Sequence, residues 1–228
     1  MADRLRRHVR TAVVWDVLSS ALTERMAQTG NDRLDVVDAG GGTGGFAVPL
    51  AGQGHRVTVV DPSPDALAAL ERRAAEARLE GRVKAVQGDA ADLYHLLGPE
   101  SADVVLCHGV LEVVDDPRAA LRGVVAVLRP DGLASVLVAQ RYAAVIARAV
   151  AGHLAEARHA LRDPAGRWGT ADPLPRRFDE PGVRQSGGEL PQHHLSLESG
   201  QRCAEAEVDP VPERQVPADV GAADVQAV

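Results

Sequence analysis

One short stretch limits the fold more than any other: Asp38-Ala39-Gly40-Gly41-Gly42-Thr43-Gly44, set directly behind the apolar run Leu34-Asp35-Val36-Val37. Glycines crowded behind a strand permit a sharp strand-to-helix turn and bring a ligand close to the backbone. A turn of this kind requires a strand before it, a helix after it, and a covered sheet to hold both.

The rest of the chain supplies that sheet. Residues 4–28 carry Val9, Val13, Val17, Leu18 and Leu22 at helical spacing, and Gly30-Asn31-Asp32 closes the segment as a turn. Strands are predicted at 34–38, 56–60, 83–86, 102–107 and 133–138. Helices are predicted between them: about 45–53, a second opened by Ser63-Pro64 with Leu67, Leu70, Ala74 and Ala77 on one face, a short one near 90–97, and one that starts at Pro117 and ends in Leu128-Arg129-Pro130-Asp131-Gly132. A long alanine-rich helix follows over 141–162. The strands are short, rich in Val and apolar almost throughout, as strands covered on both faces are. The expected fold class is α/β, a doubly wound, mostly parallel sheet.

Composition sets the outer limits. With 45% hydrophobic residues and 3% aromatic ones, the core must be built from Val, Leu and Ala. A net charge of −7 argues against a general nucleic-acid-binding surface, although the arginines at 4, 6, 7 and 10 offer a local basic patch. Cys107 and Cys203 stand far apart without partners at metal-ligand spacing, and the pair His193-His194 has none either, so no metal and no disulfide framework is expected. Without an apolar run of about 18 residues or a signal-type N-terminus, the expectation is a soluble cytoplasmic protein with no membrane partner.

The character changes near residue 181. From Pro181 onward the chain lacks Phe, Trp, Tyr, Ile, Met and Lys; it holds 8 acids and 3 arginines, hence −5 of the −7. Neither helical nor strand periodicity is visible there. The expected division is a domain over 1–180 and a disordered tail over 181–228.

The ligand is narrowed by what surrounds the glycines. Gly40, Gly42 and Gly45 also satisfy G-x-G-x-x-G, which alone would equally suggest a nicotinamide cofactor. Asp61 ends the second strand, where a carboxylate can accept hydrogen bonds from both hydroxyls of a ribose, and this too suits either ligand. Asp38, two residues before Gly40, would repel a pyrophosphate but can face a cation. S-adenosylmethionine carries a sulfonium and an ammonium and no phosphate. Gly88-Asp89-Ala90 follows the third strand, where adenine recognition is commonly supplied, and Leu-Arg-Pro-Asp-Gly at 128–132 is similar to the turn before the fifth strand of methyltransferases, with Asp131 replacing a glycine. Together these features select S-adenosylmethionine.

The glycine loop, Gly54-His55-Arg56-Val57, and the segment Cys107-His108-Gly109-Val110-Leu111-Glu112-Val113-Val114-Asp115-Asp116-Pro117 resemble one branch in particular, the tRNA carboxymethoxyuridine methyltransferases, over about residues 8–140. The resemblance implies a Rossmann-like methyltransferase fold and an acceptor that is the carboxylate of a modified wobble uridine in tRNA. It implies cofactor contacts by Arg10, Asp38, Gly40, Gly41, Gly42, Gly44, Asp61, Asp89, Ala90 and His108, with Arg10 reaching the carboxylate of the cofactor and His108 at the mouth of the crevice. An ionised carboxylate needs no general base, so His108 is the catalytic candidate as an orienting group; for a hydroxyl or amine acceptor, His108 or Glu112 would become the base. Glu112 otherwise reads as a surface or helix-start acid, and Cys107 as a small core residue.

Two other functions stay open: a methyltransferase of small metabolites, with an apolar pocket under the 141–162 helix, and an inactive cofactor-binding remnant. Rossmann-like methyltransferases continue past the fifth strand with a helix and an antiparallel strand pair. Here 177–183 reads as the start of that helix and the pattern then stops, as a reading-frame shift near codon 184 would cause. The fifth strand is therefore expected to be a bare edge, with reduced stability.

Overall fold

In the computed structural model the described residues are 2–163, 176–178 and 195–198, the side chains of 2–11 and 195–198 excepted. The chain opens with helix α1 (Ala2–Thr29) and then alternates: β1 (Asp35–Ala39), α2 (Ala47–Gly52), β2 (Arg56–Asp61), α3 (Pro64–Glu76), β3 (Val83–Gln87), a 3₁₀ turn (Ala90–Asp92) running into α4 (Leu93–Leu97), β4 (Ala102–His108), α5 (Pro117–Val127) and β5 (Leu128–Leu137). Helices α6 (Arg141–Val150) and α7 (Leu154–Arg162) follow, then strand β6 (Leu195–Glu198). The sheet order is β3-β2-β1-β4-β5-β6, and the strand pairs are parallel throughout. Among the described residues there is no antiparallel strand pair. The direction of winding reverses between β1 and β4, where open α/β sheets bind ligands. Dinucleotide folds share this order, so topology alone does not choose the ligand.

Two apolar clusters cover the two faces. One joins Val37, Val105, Val136, Leu111 and Phe178 to Leu121 and Val124 of α5. The other joins Val36, Val57 and Leu106 to Leu50 of α2, Leu67 and Leu70 of α3, and Leu18 and Leu22 of α1. In α1 the buried stripe is Val14, Leu18 and Leu22, spaced four apart, whereas Val13 is 41% exposed. Ser63 caps α3 by accepting the Ala66 amide at 3.2 Å, with Pro64 in the first turn.

Several boundaries differ from the sequence reading. The 141–162 helix is two helices: Gly152 takes a φ of 85° and turns the chain between α6 and α7. Strand β5 begins at Leu128 rather than 133, with Asp131 at a φ of 58° and a register shift opposite Ala102 and Val104, so the predicted turn is an irregular strand start. Phe178 does not start a helix; it forms a parallel bridge with Gln140 and is buried, and the remainder of 179–183 lies outside the described residues. The edge of β5 is not bare, because Leu195–Glu198 pairs with Ala134–Leu137. His193-His194, Cys203 and the rest of the tail lie outside the described residues.

Candidate functional site

The carboxyl ends of β1 to β4 meet around the glycine turn. Gly40 donates its amide to the Val60 carbonyl at 2.7 Å, which folds the turn back over β2. Gly44 has a φ of 80°, and a Cβ there would stand 2.3 Å from Leu70 Cδ1, so both conformation and space require glycine. At Gly41 the requirement is proximity: a Cβ would lie 2.4 Å from Asp38 Oδ2. The glycine backbone therefore rests on the Asp38 carboxylate.

Asp38 is 2% exposed, and its Oδ2 is buried without a hydrogen-bond partner. Burial, with the nearby charge of Asp61 adding to it, pushes its carboxyl up to about 7. An orphaned buried carboxylate under a ligand-binding turn fits a cationic group and opposes a phosphate, so this donor set fits S-adenosylmethionine. Asp61, 8% exposed, uses one oxygen to accept the Gly42 amide at 2.9 Å and the other to accept the Ser63 amide at 2.9 Å. Each oxygen keeps a second lone pair for a ribose hydroxyl.

The end of β3 is joined to this group by the Gly88 amide, which donates to the Asp61 carbonyl at 3.2 Å. Asp89 caps the following 3₁₀ turn through the Ala91 amide at 3.0 Å and remains exposed, while Ala90 is buried at 6%. A Cβ on Gly123 of α5 would stand 2.3 Å from the Ala90 carbonyl oxygen, so the helix packs directly against this turn and fixes it.

His108 ends β4. Its Nε2 lies 2.9 Å from Ser135 Oγ of β5, and its Nδ1 is buried without a partner. Burial pulls its pKa down to about 4, so the ring is neutral near pH 7. Phe46 meets it edge-on at 4.8 Å and in turn faces Trp15 of α1 at 5.0 Å.

The structure thus gathers Asp38, Gly40, Gly41, Gly42, Gly44, Asp61, Asp89, Ala90 and His108 around adjacent strand ends. Arg10 lies in the backbone of α1, but its side chain is outside the described residues. Sequence reading passed over Phe46 and Ser135, and it misplaced Glu112. That residue is no surface acid: it is 2% exposed, one oxygen accepts the Ala139 amide at 2.5 Å, and Oε2 is buried without a partner. Its contact is with a residue 27 positions away, which no local pattern announces. Among the described residues no group of three or more His, Cys, Asp and Glu side chains could hold a metal ion, and no helix is long and apolar enough to cross a membrane.

Residues 37–136 match the methyltransferase domain family. The chain is similar to tRNA 5-carboxymethoxyuridine methyltransferase of Escherichia coli (strain K12), 33% identical over 146 residues that cover 64% of this chain and 54% of the relative. It is also similar to the ubiquinone biosynthesis O-methyltransferase of Methylocella silvestris, 33% identical over 136 residues that cover 55% of this chain and 50% of the relative. A solved structure described under conversion of a disulfide bond into a thioacetal group during echinomycin biosynthesis is 27% identical, with a TM-score of 0.49, covering 74% of this chain and 66% of that one. The chain spans about half the length of the curated relatives it matches. The match to a methyltransferase domain thus falls on residues 37–136, the stretch that carries the glycine turn and the strand ends whose donor set fits S-adenosylmethionine.

Proposed function

We propose that this chain transfers a methyl group from S-adenosylmethionine to the carboxylate of a modified wobble uridine in tRNA. The cofactor reading is carried by Asp38, whose buried unpartnered oxygen under Gly41 suits a cation and no phosphate. Bound there, S-adenosylmethionine supplies an electrophilic methyl on a sulfonium.

The residues then have the following parts. Asp38 would face the positive end of the cofactor, and Asp61 would accept the ribose hydroxyls. Gly40, Gly41, Gly42 and Gly44 would keep the turn open to it, Asp89 and Ala90 would border the adenine, and the resemblance assigns Arg10 to its carboxylate. The residues that would hold the cofactor stand at the ends of β1 to β3, and the acceptor would enter over the ends of β4 and β5. There neutral His108 orients it for in-line displacement, which alignment and exclusion of water accelerate.

His108 also favours the acceptor class. A ring whose pKa is pulled to about 4 is a poor base at neutral pH, and an ionised carboxylate requires none. The Arg141 amide donates to the Phe178 carbonyl at 2.8 Å, which brings the segment 176–178 to the start of α6 beside the end of β5. Similarity to the E. coli tRNA enzyme supports the same reading. The second reading, methylation of a small hydroxylated metabolite, is supported by the similarity to the ubiquinone-pathway enzyme. It requires a base at this end of the sheet, for which buried Glu112 is the candidate.

This reading takes 1–180 as the methyltransferase domain and 181–228 as an appended tail. Radiolabelled methyl transfer to tRNA lacking the ester, in parallel with a small-molecule extract, tests it. Label in the tRNA that is lost on mild alkaline hydrolysis is expected; label confined to the extract would support the second reading, and none in either would indicate a remnant.

A further inference from the structure

The buried carboxylate of Glu112 has no part in the methylation of a carboxylate proposed above, yet it is costly to keep. A polar atom held from water without a partner loses its hydration with nothing in return, and the loss is greater when it is charged. Burial raises its carboxyl pKa, the Ala139 amide and the charge of Arg177 opposing this. Such a group is retained where something else depends on it.

What depends on it is visible in the contacts around it. The Glu112 carboxylate holds the Ala139 amide just past β5. The Ala139 carbonyl accepts the Phe178 amide at 2.9 Å. Two residues before Phe178, the Arg176 guanidinium donates to the carbonyls of Val114 at 2.9 Å, Leu111 at 3.3 Å and Asp115 at 3.5 Å, on both sides of Glu112. The loop after β4, the junction of β5 with α6, and the segment 176–178 therefore close a ring of contacts. Glu112 is the side chain that joins its first two members. The same loop begins at His108, and the Gly109 amide is held by the Leu137 carbonyl at 2.8 Å.

The geometry points to Glu112 as the positioning residue of the acceptor half of the site: by holding the Ala139 amide it ties the β5–α6 junction to the loop that follows His108. This rests on the reading that the acceptor enters over β4 and β5. The cofactor half, built on the ends of β1 to β3, does not depend on it.

The test uses the full chain with Glu112→Ala, and Glu112→Met to fill the volume without an acceptor atom should the alanine variant not fold. Glu112→Gln keeps a carbonyl for the Ala139 amide. Three quantities are read: amide hydrogen exchange at 139–141 and 109–115, affinity for S-adenosylhomocysteine by calorimetry, and KM and kcat with ester-free tRNA. Exchange at both segments is expected to quicken about tenfold or more in the Ala or Met variant, with acceptor KM rising about tenfold and S-adenosylhomocysteine affinity staying within about twofold. Glu112→Gln is expected to restore most of both. Unchanged exchange, a parallel loss of S-adenosylhomocysteine affinity, or a glutamine variant as impaired as alanine overturns the proposal. If wild-type protein leaves tRNA unlabelled, the acceptor reading fails, and exchange with S-adenosylhomocysteine binding still decides the role of Glu112.

Discussion

The two ends of the sheet bury acids in opposite ways. At the amino ends, each acid is answered. Arg129 reaches Asp35 at 2.9 Å and Asp103 at 2.8 Å, Arg56 reaches Asp35 at 2.5 Å, and Asp103 also accepts the Asp35 amide at 2.9 Å. The Arg56 hydrogen bond, with Arg129 adding to it, holds the Asp35 carboxyl below the usual range. This network rims a groove of about 720 Å³ that also includes Arg25 and Pro130. At the carboxyl ends, Asp38 and Glu112 each keep an oxygen with no partner, and so does Nδ1 of His108. The lesson is a division of labour within one sheet. Paired acids at the base fix the strand starts, while at the top Asp38 holds an interaction in reserve for a ligand and Glu112 uses its one bonded oxygen to hold the Ala139 amide.

The largest expected effect breaks the base. Asp103→Ala takes from Arg129 one of its two carboxylates and leaves the Asp35 amide without its acceptor, and is expected to cost about 3 kcal/mol of unfolding free energy, measured by urea denaturation. S-adenosylhomocysteine affinity should not change; if it falls by the same factor, the two ends are not independent.

Asp38→Asn is the converse. The Asp38 pKa is raised in the folded chain, so its favourable contribution is complete below the ordinary value of 3.8 and is lost as pH rises through about 7. Removing the charge is therefore expected to stabilise the free protein by roughly 2 kcal/mol at pH 8 while S-adenosylhomocysteine binding weakens at least tenfold. A variant that loses stability at pH 8 would refute the assignment of Asp38 as an unanswered charge.

Next in size is the pH dependence of binding. A cationic ligand favours ionised Asp38, so wild-type affinity for S-adenosylmethionine should rise several-fold, about 1 kcal/mol, from pH 6 to pH 8. Calorimetry on Asp38→Asn should give a flat profile over the same interval.

The smallest effect concerns His108. Its pKa is lowered, so folding is undisturbed above 6.5 and stability is lost as pH falls from there toward 4. Replacing His108 by Gln should remove that part of the acid loss, on the order of 1 kcal/mol, read as the shift of denaturation midpoint between pH 7 and pH 5. An acid branch identical to wild type would mean that the ring is not buried as neutral imidazole.

How much of this was legible in the sequence depended on range. Strands β1 to β5 showed in runs such as Val57 to Val60 because a strand buried on both faces is apolar throughout. The cofactor half was equally legible: Asp38, the glycines, Asp61 and Asp89 each sit at the end of a strand or in the turn just after it. The acceptor half was not. Glu112 meets Ala139, and Arg176 meets Val114 from 62 positions away, so their meaning exists only once β4 and β5 lie side by side. Helix α1 shows a subtler failure. Val13 and Val14 are equivalent in composition, and it is Val14, four residues before Leu18 and eight before Leu22, that is buried. The strand at Leu195–Glu198 has too few apolar residues around it to stand out from the tail, and it forms by pairing with β5.

The row of rings from Trp15 through Phe46 to His108 has an optical consequence. The chain contains two tryptophans, and Trp15 lies one ring away from the histidine at the mouth of the crevice. Its indole is a built-in fluorophore. A ligand that settles against Phe46 alters the field around that indole, so filling of the crevice should register as a change in emission without any dye or label.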